Sequence, residues 1–501
     1  MTWPFSRRLH GMRFKGPTRV TAALSAVVFA LNACSASNGA TAPPDGAPAT
    51  GRPGAAGLPG AAGIGDPDFP ADGNGGYDVG HYSLKLSYDP PTKNLSGTTS
   101  VQATASQALS RFDLDLHGFT VKKVTVDGAA ATFAREGDEL VVTPATVIGK
   151  DARFTVAVDY AGKPDPVRNS SNLGTYGFIP TKDGAFVTSE PNGAKTWFPC
   201  NDHPADKATF DFDVSVPAGT TVIANGEMTK PPATSGGTST FTWRERDPMV
   251  TYLATITLGK FEVRTGKTAS GIPVYAATDP AYSHQLASLY TTSAKVTDYW
   301  STVFGPYPFT STGGVIDDFS AGYALENQTK PMYGGFAPDQ SIIAHELAHQ
   351  WFGDSVSITR WKDLWLNEGF ATYAEWLWSE HTGGSTADQT FEGHNAADRS
   401  EMWEYPRRGP PRRPVPRLRL HPRRHDPARP APAHRRRQVL RAPAHLDQGP
   451  PPRQRDDRAV HDAGPVDRRQ AREGSVRRVA LQPHPSHHHP LSLRAQPKDS
   501  L

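Results

Sequence analysis

Cysteine is nearly absent from this 501-residue chain, which has two, Cys34 and Cys200. Two thiols in a chain this long exclude a disulfide scaffold. Long hydrophobic runs are also missing. The apolar stretch Val20–Leu31 near the start is about a dozen residues, too few to stay in a bilayer as a spanning helix. Charge of one sign is absent overall: 53 Lys and Arg face 50 Asp and Glu, for a net +3. Whole-chain charge therefore argues for no particular partner. The sharpest absence is local. From Pro406 onward there is no Phe, Tyr, Trp, Ile, Met, Thr or Asn, and Lys498 is the one lysine. Without aromatic anchors that stretch cannot bury enough apolar surface to offset chain entropy.

The chain divides by composition. Arg7, Arg8, Arg13, Lys15 and Arg19 precede the apolar run, the order of an export signal. Leu31-Asn32-Ala33-Cys34 then resembles a bacterial lipobox, which implies cleavage before a lipidated Cys34. Residues 1–34 are thus expected to be a lipoprotein signal peptide, leaving Cys200 unpaired. Residues 35–75 are Ala, Gly and Pro with few bulky side chains, the composition of a flexible linker. Alternating apolar and polar residues in HYSLKLSY, RFDLDLHGF and FTVAVDY predict antiparallel strands. They define a β-rich domain over 76–264, a sandwich or saddle-shaped sheet whose last strand is YLATITLGKFEV. A mixed domain over 265–405 follows, with an amphipathic helix near Tyr282–Tyr299 and two further helices. The expected fold class is multidomain α+β with a disordered tail, 406–501.

The chemistry sits in those two helices. HELAH places His345 and His349 four residues apart, so both imidazoles leave one helical face. Ile342, Ile343, Leu347, Ala348 and Trp351 fill the other positions, so the helix is expected to be buried. Two histidines and Glu346 there are costly unless paired or bound to a metal. Such a pair supplies two zinc ligands, and Glu346 beside them suits a general base for a metal-activated water. Glu368, after residues 350–367, is the obvious third ligand, leaving one zinc position open. Around it, WLNEGFATYAEW predicts a helix near Leu364–Ser379, packed through Trp365, Phe370, Trp376 and Leu377. Thr372 or Glu375 on its face is eligible to orient a ligand histidine.

These residues resemble the aminopeptidase N-like zinc metallopeptidases, whose signature is HExxH, eighteen residues, then Glu. Tyr323-Ala324-Leu325-Glu326-Asn327 is similar to that family's G-x-M-E-N exopeptidase motif, with Tyr323 replacing glycine and Leu325 replacing methionine. Ser189-Glu190-Pro191, followed by WFPCNDHPADKATFDF, resembles the segment that ends the family's β-rich domain and reaches its active site. The resemblance runs from about Tyr77 to Glu404. It implies a thermolysin-like mixed α/β catalytic domain holding one Zn²⁺ per chain. It also implies Glu346 as catalytic base, and Glu326, Glu190, Ala324 and Asn327 as substrate-binding positions. The implied substrates are peptides with a free N-terminus. An aminopeptidase must recognise a cationic α-amine, so carboxylates that do not ligate the metal belong near it.

The family also has a tyrosine, some sixty residues beyond the last ligand, that stabilises the tetrahedral intermediate. No tyrosine follows Tyr405 here, and Tyr405 lies too close to Glu368 to match. An Arg-, Pro- and His-rich tail without residues of AT-rich codons suggests a reading frame shifted near Tyr405. Weak activity or a poorly folded catalytic domain is the expected result. Two other function classes fit the same sequence: a polyanion-binding arm formed by the basic tail, and a catalytically silent surface-binding protein on this fold. Nucleic acid is not an expected partner, because the tail has no interleaved aromatics. The expected location is the outer face of the bacterial cytoplasmic membrane, through the lipid on Cys34.

Overall fold

A computed structural model describes residues 57–169 and 174–397. The export signal, Cys34 and the tail from Pro406 lie outside the described residues.

The N-terminal domain is strand-rich. Its main sheet has eight strands, ordered Glu227–Ser235, Thr238–Val250, Lys207–Pro217, Tyr77–Asp89, Asn94–Ala105, Arg153–Gly162, Thr120–Val126 and Ala129–Ala130. Strict alternation forms it. In Lys207–Pro217 every second residue, Ala208, Phe210, Phe212, Val214 and Val216, is buried. A bulge between Val79 and His81 shifts the neighbouring strand's phase, so that Val79 and then Tyr82, Leu84, Leu86 and Tyr88 face inward. Two smaller sheets share the same apolar cluster, with Phe112 packed on Tyr77 and Phe178 on Tyr88.

The expected last strand is divided. Ile256–Gly259 pairs within the N-terminal domain, whereas Glu262–Lys267 pairs with Pro273–Thr278 and opens the catalytic sheet. The change of sheet thus falls at Lys260–Phe261, before the expected 264. Only two residues separate the two strands, and periodicity alone does not mark a change of sheet. The catalytic sheet is mixed, ordered Glu262–Lys267, Pro273–Thr278, Thr312–Asp317, Met332–Gly334 and Ala324–Leu325. Helix α1 (Leu286–Val303) lies against it, starting later than expected because Pro280–Gln285 is a 3-10 turn. Helix α2 (Gln340–Ala348) is capped by Asp339, which accepts the Ile342 N–H at 2.9 Å. Helices α3 (Trp365–His381) and α4 (Ala387–Ala397) complete it. Trp300 of α1 donates its indole N–H to the Ala344 carbonyl at 3.0 Å and so ties α1 to α2. Trp365, the first residue of α3, is half exposed rather than packed.

A larger correction concerns the expected linker. Residues 57–75 form an ordered strap. Leu58–Pro59 pairs in parallel with Leu109–Asp115, and Ala62 bridges to Asn74. The Asp66 carboxylate accepts the Trp361 N–H at 2.8 Å and lies 3.3 Å from His203 Nε2. Asp72 accepts from Asn192 at 2.7 Å, and Phe69 packs on the Trp361 ring. Small residues let the strap lie close to the domain, where buried polar contacts fix it instead of bulky apolar side chains. Cys200 is buried and has no disulfide partner among the described residues.

Candidate metal centre and amine site

Helix α2 brings His345 and His349 together with their Nε2 atoms 3.1 Å apart. Glu368, in the first turn of α3, places Oε2 3.5 Å from His345 Nε2 and 3.7 Å from His349 Nε2. The ligand atoms of these three residues lie within 4.8 Å of one another. The far side of each ring is committed: His345 Nδ1 meets Glu375 Oε1 at 2.7 Å, and His349 Nδ1 meets the Phe352 carbonyl at 3.0 Å. Both Nδ1 atoms must therefore carry hydrogen, which leaves two Nε2 lone pairs facing each other and a carboxylate. Such a cluster repels itself unless a positive centre sits among the three atoms. His, His and Glu are zinc's donors at a site with an open position, so the residues fit that ion.

The electrostatics favour positive charge at this place, where a proton would compete with the ion. Burial opposes charge on His345, but Glu368, Glu375 and Glu346 outweigh it and raise its pKa well above the ordinary imidazole value. Burial also pushes the Glu368 carboxyl up, yet the two imidazoles hold it below the usual range. Gly353 supports the arrangement from behind. Its φ is +133°, and a Cβ there would sit 3.4 Å from His349 Nδ1 and 3.3 Å from the Asn367 side chain.

Glu346 is buried beside the triad, and burial with the nearby acids raises its pKa to about 8. Its carboxylate shares a 4.8 Å cluster with Glu326 and His349. Glu190, Glu326 and Glu368 form another cluster of that size. Glu190 is half-buried, and burial and the neighbouring carboxylates push its carboxyl well above the usual range. Burial likewise raises Glu326, whose Oε1 accepts the Tyr252 hydroxyl at 3.3 Å.

The other expected positions divide. Ala324 lies in the short strand beside Tyr333. Asn327 turns away and donates its amide to the Leu253 carbonyl at 2.8 Å, so it anchors the loop from behind. Of the two residues eligible to orient a ligand, Glu375 holds His345. Tyr323, where glycine was the pattern, donates to the Thr175 carbonyl at 2.9 Å and pairs with the Thr188 hydroxyl at 2.8 Å. Tyr252 and Gln350 were not foreseen from sequence. Gln350 follows His349 directly, the one signal that could have drawn attention to it.

The decisive comparison is with the Deinococcus radiodurans M1 zinc metallopeptidase. Its solved structure matches at TM-score 0.64 and 30% identity, over 68% of this chain and 78% of that one. This chain belongs to peptidase family M1. The family's N-terminal domain model matches residues 79–253 and the Peptidase family M1 domain matches 337–405. Among curated relatives, human endoplasmic reticulum aminopeptidase 1 is 29% identical over 59% of the M1 chain and 34% of its own length. Aminopeptidase N of Lactobacillus delbrueckii subsp. lactis is 29% identical over 60% of the chain and 37% of its own. The chain thus spans little more than a third of the length of these relatives.

Proposed function

We propose that this M1 chain is a zinc-dependent aminopeptidase that releases N-terminal residues from peptides. One observation carries the reading: Glu326 and Glu190, which are not members of the His-His-Glu triad, lie in one 4.8 Å cluster with Glu368. Carboxylates beside a metal site but outside its ligand set suit a substrate's α-ammonium. An aminopeptidase needs that recognition, and an endopeptidase does not. A Deinococcus radiodurans M1 variant has been crystallised with a Tyr-Ser-Ala peptide, which supports peptide as the substrate class.

His345, His349 and Glu368 would hold the zinc, which supplies a Lewis acid for the scissile carbonyl. Glu326 and Glu190 receive the ammonium and fix the first peptide bond relative to the triad. Glu346 takes the proton of the attacking water and delivers it to the leaving nitrogen, as its buried place beside the triad allows. Glu375 keeps the His345 ring oriented throughout.

Two features belong to the same proposal. The basic n-region, Val20–Leu31 and Cys34 support an exported protein carried on the outer face of the cytoplasmic membrane by its lipid. Among the described residues no helix is long and apolar enough to cross a membrane. Where the resemblance's oxyanion-stabilising tyrosine is lost, as a frame shifted near Tyr405 implies, the rate falls about 10²–10³-fold. A silent binding role is not favoured, since base, triad and clamp are all in place. Turnover of an aminoacyl anilide, abolished by chelation and by Glu346→Gln with zinc retained, tests the reading. Chelator-insensitive turnover, or none on any free-amine substrate, would sink it.

A further inference from the structure

We infer that Gln350 is a positioning residue that sets the amine clamp against the metal helix. This inference rests on the aminopeptidase reading and deepens it. Gln350 is fully buried, one residue beyond His349. Its amide engages the clamp loop at two points: Nε2 donates to the Glu326 carbonyl at 3.1 Å, and Oε1 accepts the Thr329 N–H at 2.8 Å. Tyr307 also directs its hydroxyl to Oε1 at 3.4 Å. One uncharged group thus spans Glu326–Thr329, the segment whose first side chain is the clamp acid.

The loop needs this support. Thr329 has a φ of +67°, a left-handed conformation unfavourable for a β-branched residue. Apart from the neighbouring Lys330, whose ammonium reaches Thr329 Oγ1 at 3.4 Å, its other holds are on the N-terminal domain side. Thr329 Oγ1 accepts the Gly226 N–H at 2.8 Å, and Asn225 donates to the Gln328 carbonyl at 2.8 Å. Gln350 holds the loop from the metal side. Glu326 and His349 already share a 4.8 Å cluster, so a small slip of the loop changes where the carboxylate stands relative to the bond being cut.

The requirement is specific for a primary amide. Methionine fills the volume but offers neither bond. Glutamate keeps the acceptor for Thr329 and loses the donor to Glu326, setting oxygen against oxygen. Neither variant alters a triad residue, so zinc content is a control separate from the effect.

The test is binding, by calorimetry on the zinc-loaded full chain carrying Glu346→Gln to stop turnover, of a dipeptide and of its N-acetyl derivative, with and without the change at Gln350. The parent should prefer the free amine. Gln350→Met should retain stoichiometric zinc and lose about ten-fold of that preference, the scale of a lost hydrogen-bonded register. The ratio of the two affinities is the discriminating quantity, because general loosening of the site weakens both ligands alike. If the Met variant does not fold, Gln350→Glu is measured in its place with the same criterion. A preference preserved in the variant, or both ligands weakened equally, overturns the inference. A parent with no preference for the free amine overturns the aminopeptidase reading itself, and the inference with it.

Discussion

Replacing Glu375 by glutamine should weaken zinc binding about 10–100-fold while leaving the fold intact. The contact at stake is the 2.7 Å bond between Glu375 Oε1 and His345 Nδ1, a charge-assisted bond. The carboxylate only accepts, so it demands hydrogen on Nδ1 and frees the Nε2 lone pair for the metal. A glutamine can present its NH₂ instead. It then stabilises the opposite tautomer, with hydrogen on Nε2 aimed at the ion. Ring basicity falls as well, because the negative partner is gone. The expected loss is about 1.4–2.8 kcal/mol, at roughly 1.4 kcal/mol per decade. Competition against a chromophoric chelator measures it directly. Thr372→Val is the control from the same helical face and should change affinity less than about two-fold. Equal affinity in parent and Glu375→Gln, with the His345 ring unmoved, would refute the reasoning.

Glu346→Gln should bind zinc as the parent does and lose about 10²–10⁴ of its turnover, checked by metal analysis alongside anilide hydrolysis. Asp354 is buried with neither carboxylate oxygen partnered, and burial beside Glu326 raises its pKa well above the ordinary 3.8. A raised acid makes the folded state bind the extra proton, so stability is lost as pH climbs above that ordinary value. Asp354→Asn should therefore raise Tm, and raise it more at pH 8 than at pH 5; an equal shift at both would contradict this. Burial raises the Asp66 pKa less than the Trp361 and Asp68 N–H groups and His203 lower it, so its contribution is complete above 3.8 and fades as pH falls through the depressed folded value. Asp66→Ala should cost about 1–3 kcal/mol at pH 7 by stranding the Trp361 N–H, measured by denaturant unfolding.

The triad was readable because its geometry is helical arithmetic: a four-residue spacing puts two rings on one face, and Glu368 needed only a second helix. The N-terminal strands were readable for the same kind of reason, since half-buried sheets impose alternation such as Phe210, Phe212 and Val214. What escaped depends on long-range contact. Tyr252 reaches Glu326 from 74 positions away, and Gln350 reaches Thr329 across 21, with no local pattern announcing either. Glu375 could not be separated from Thr372 by spacing, because helical phase fixes the face but not which side chain is long enough. The strap was misread because glycine, alanine and proline usually mean slack chain. Here Asp66 and Asp72 supply the order, and an isolated aspartate in such a stretch carries no periodic signal.

The contact between Asp66 and Trp361 joins residues 295 positions apart, on either side of nearly everything else described. The molecule is therefore closed like a ring on itself, its opening segment fastened to the turn that launches the helix of the last metal donor. An excised catalytic fragment beginning at Glu262 would carry that turn with a bare amide and an indole stripped of Phe69 and Tyr252. Dissecting this protein into halves would remove the fastening along with the half.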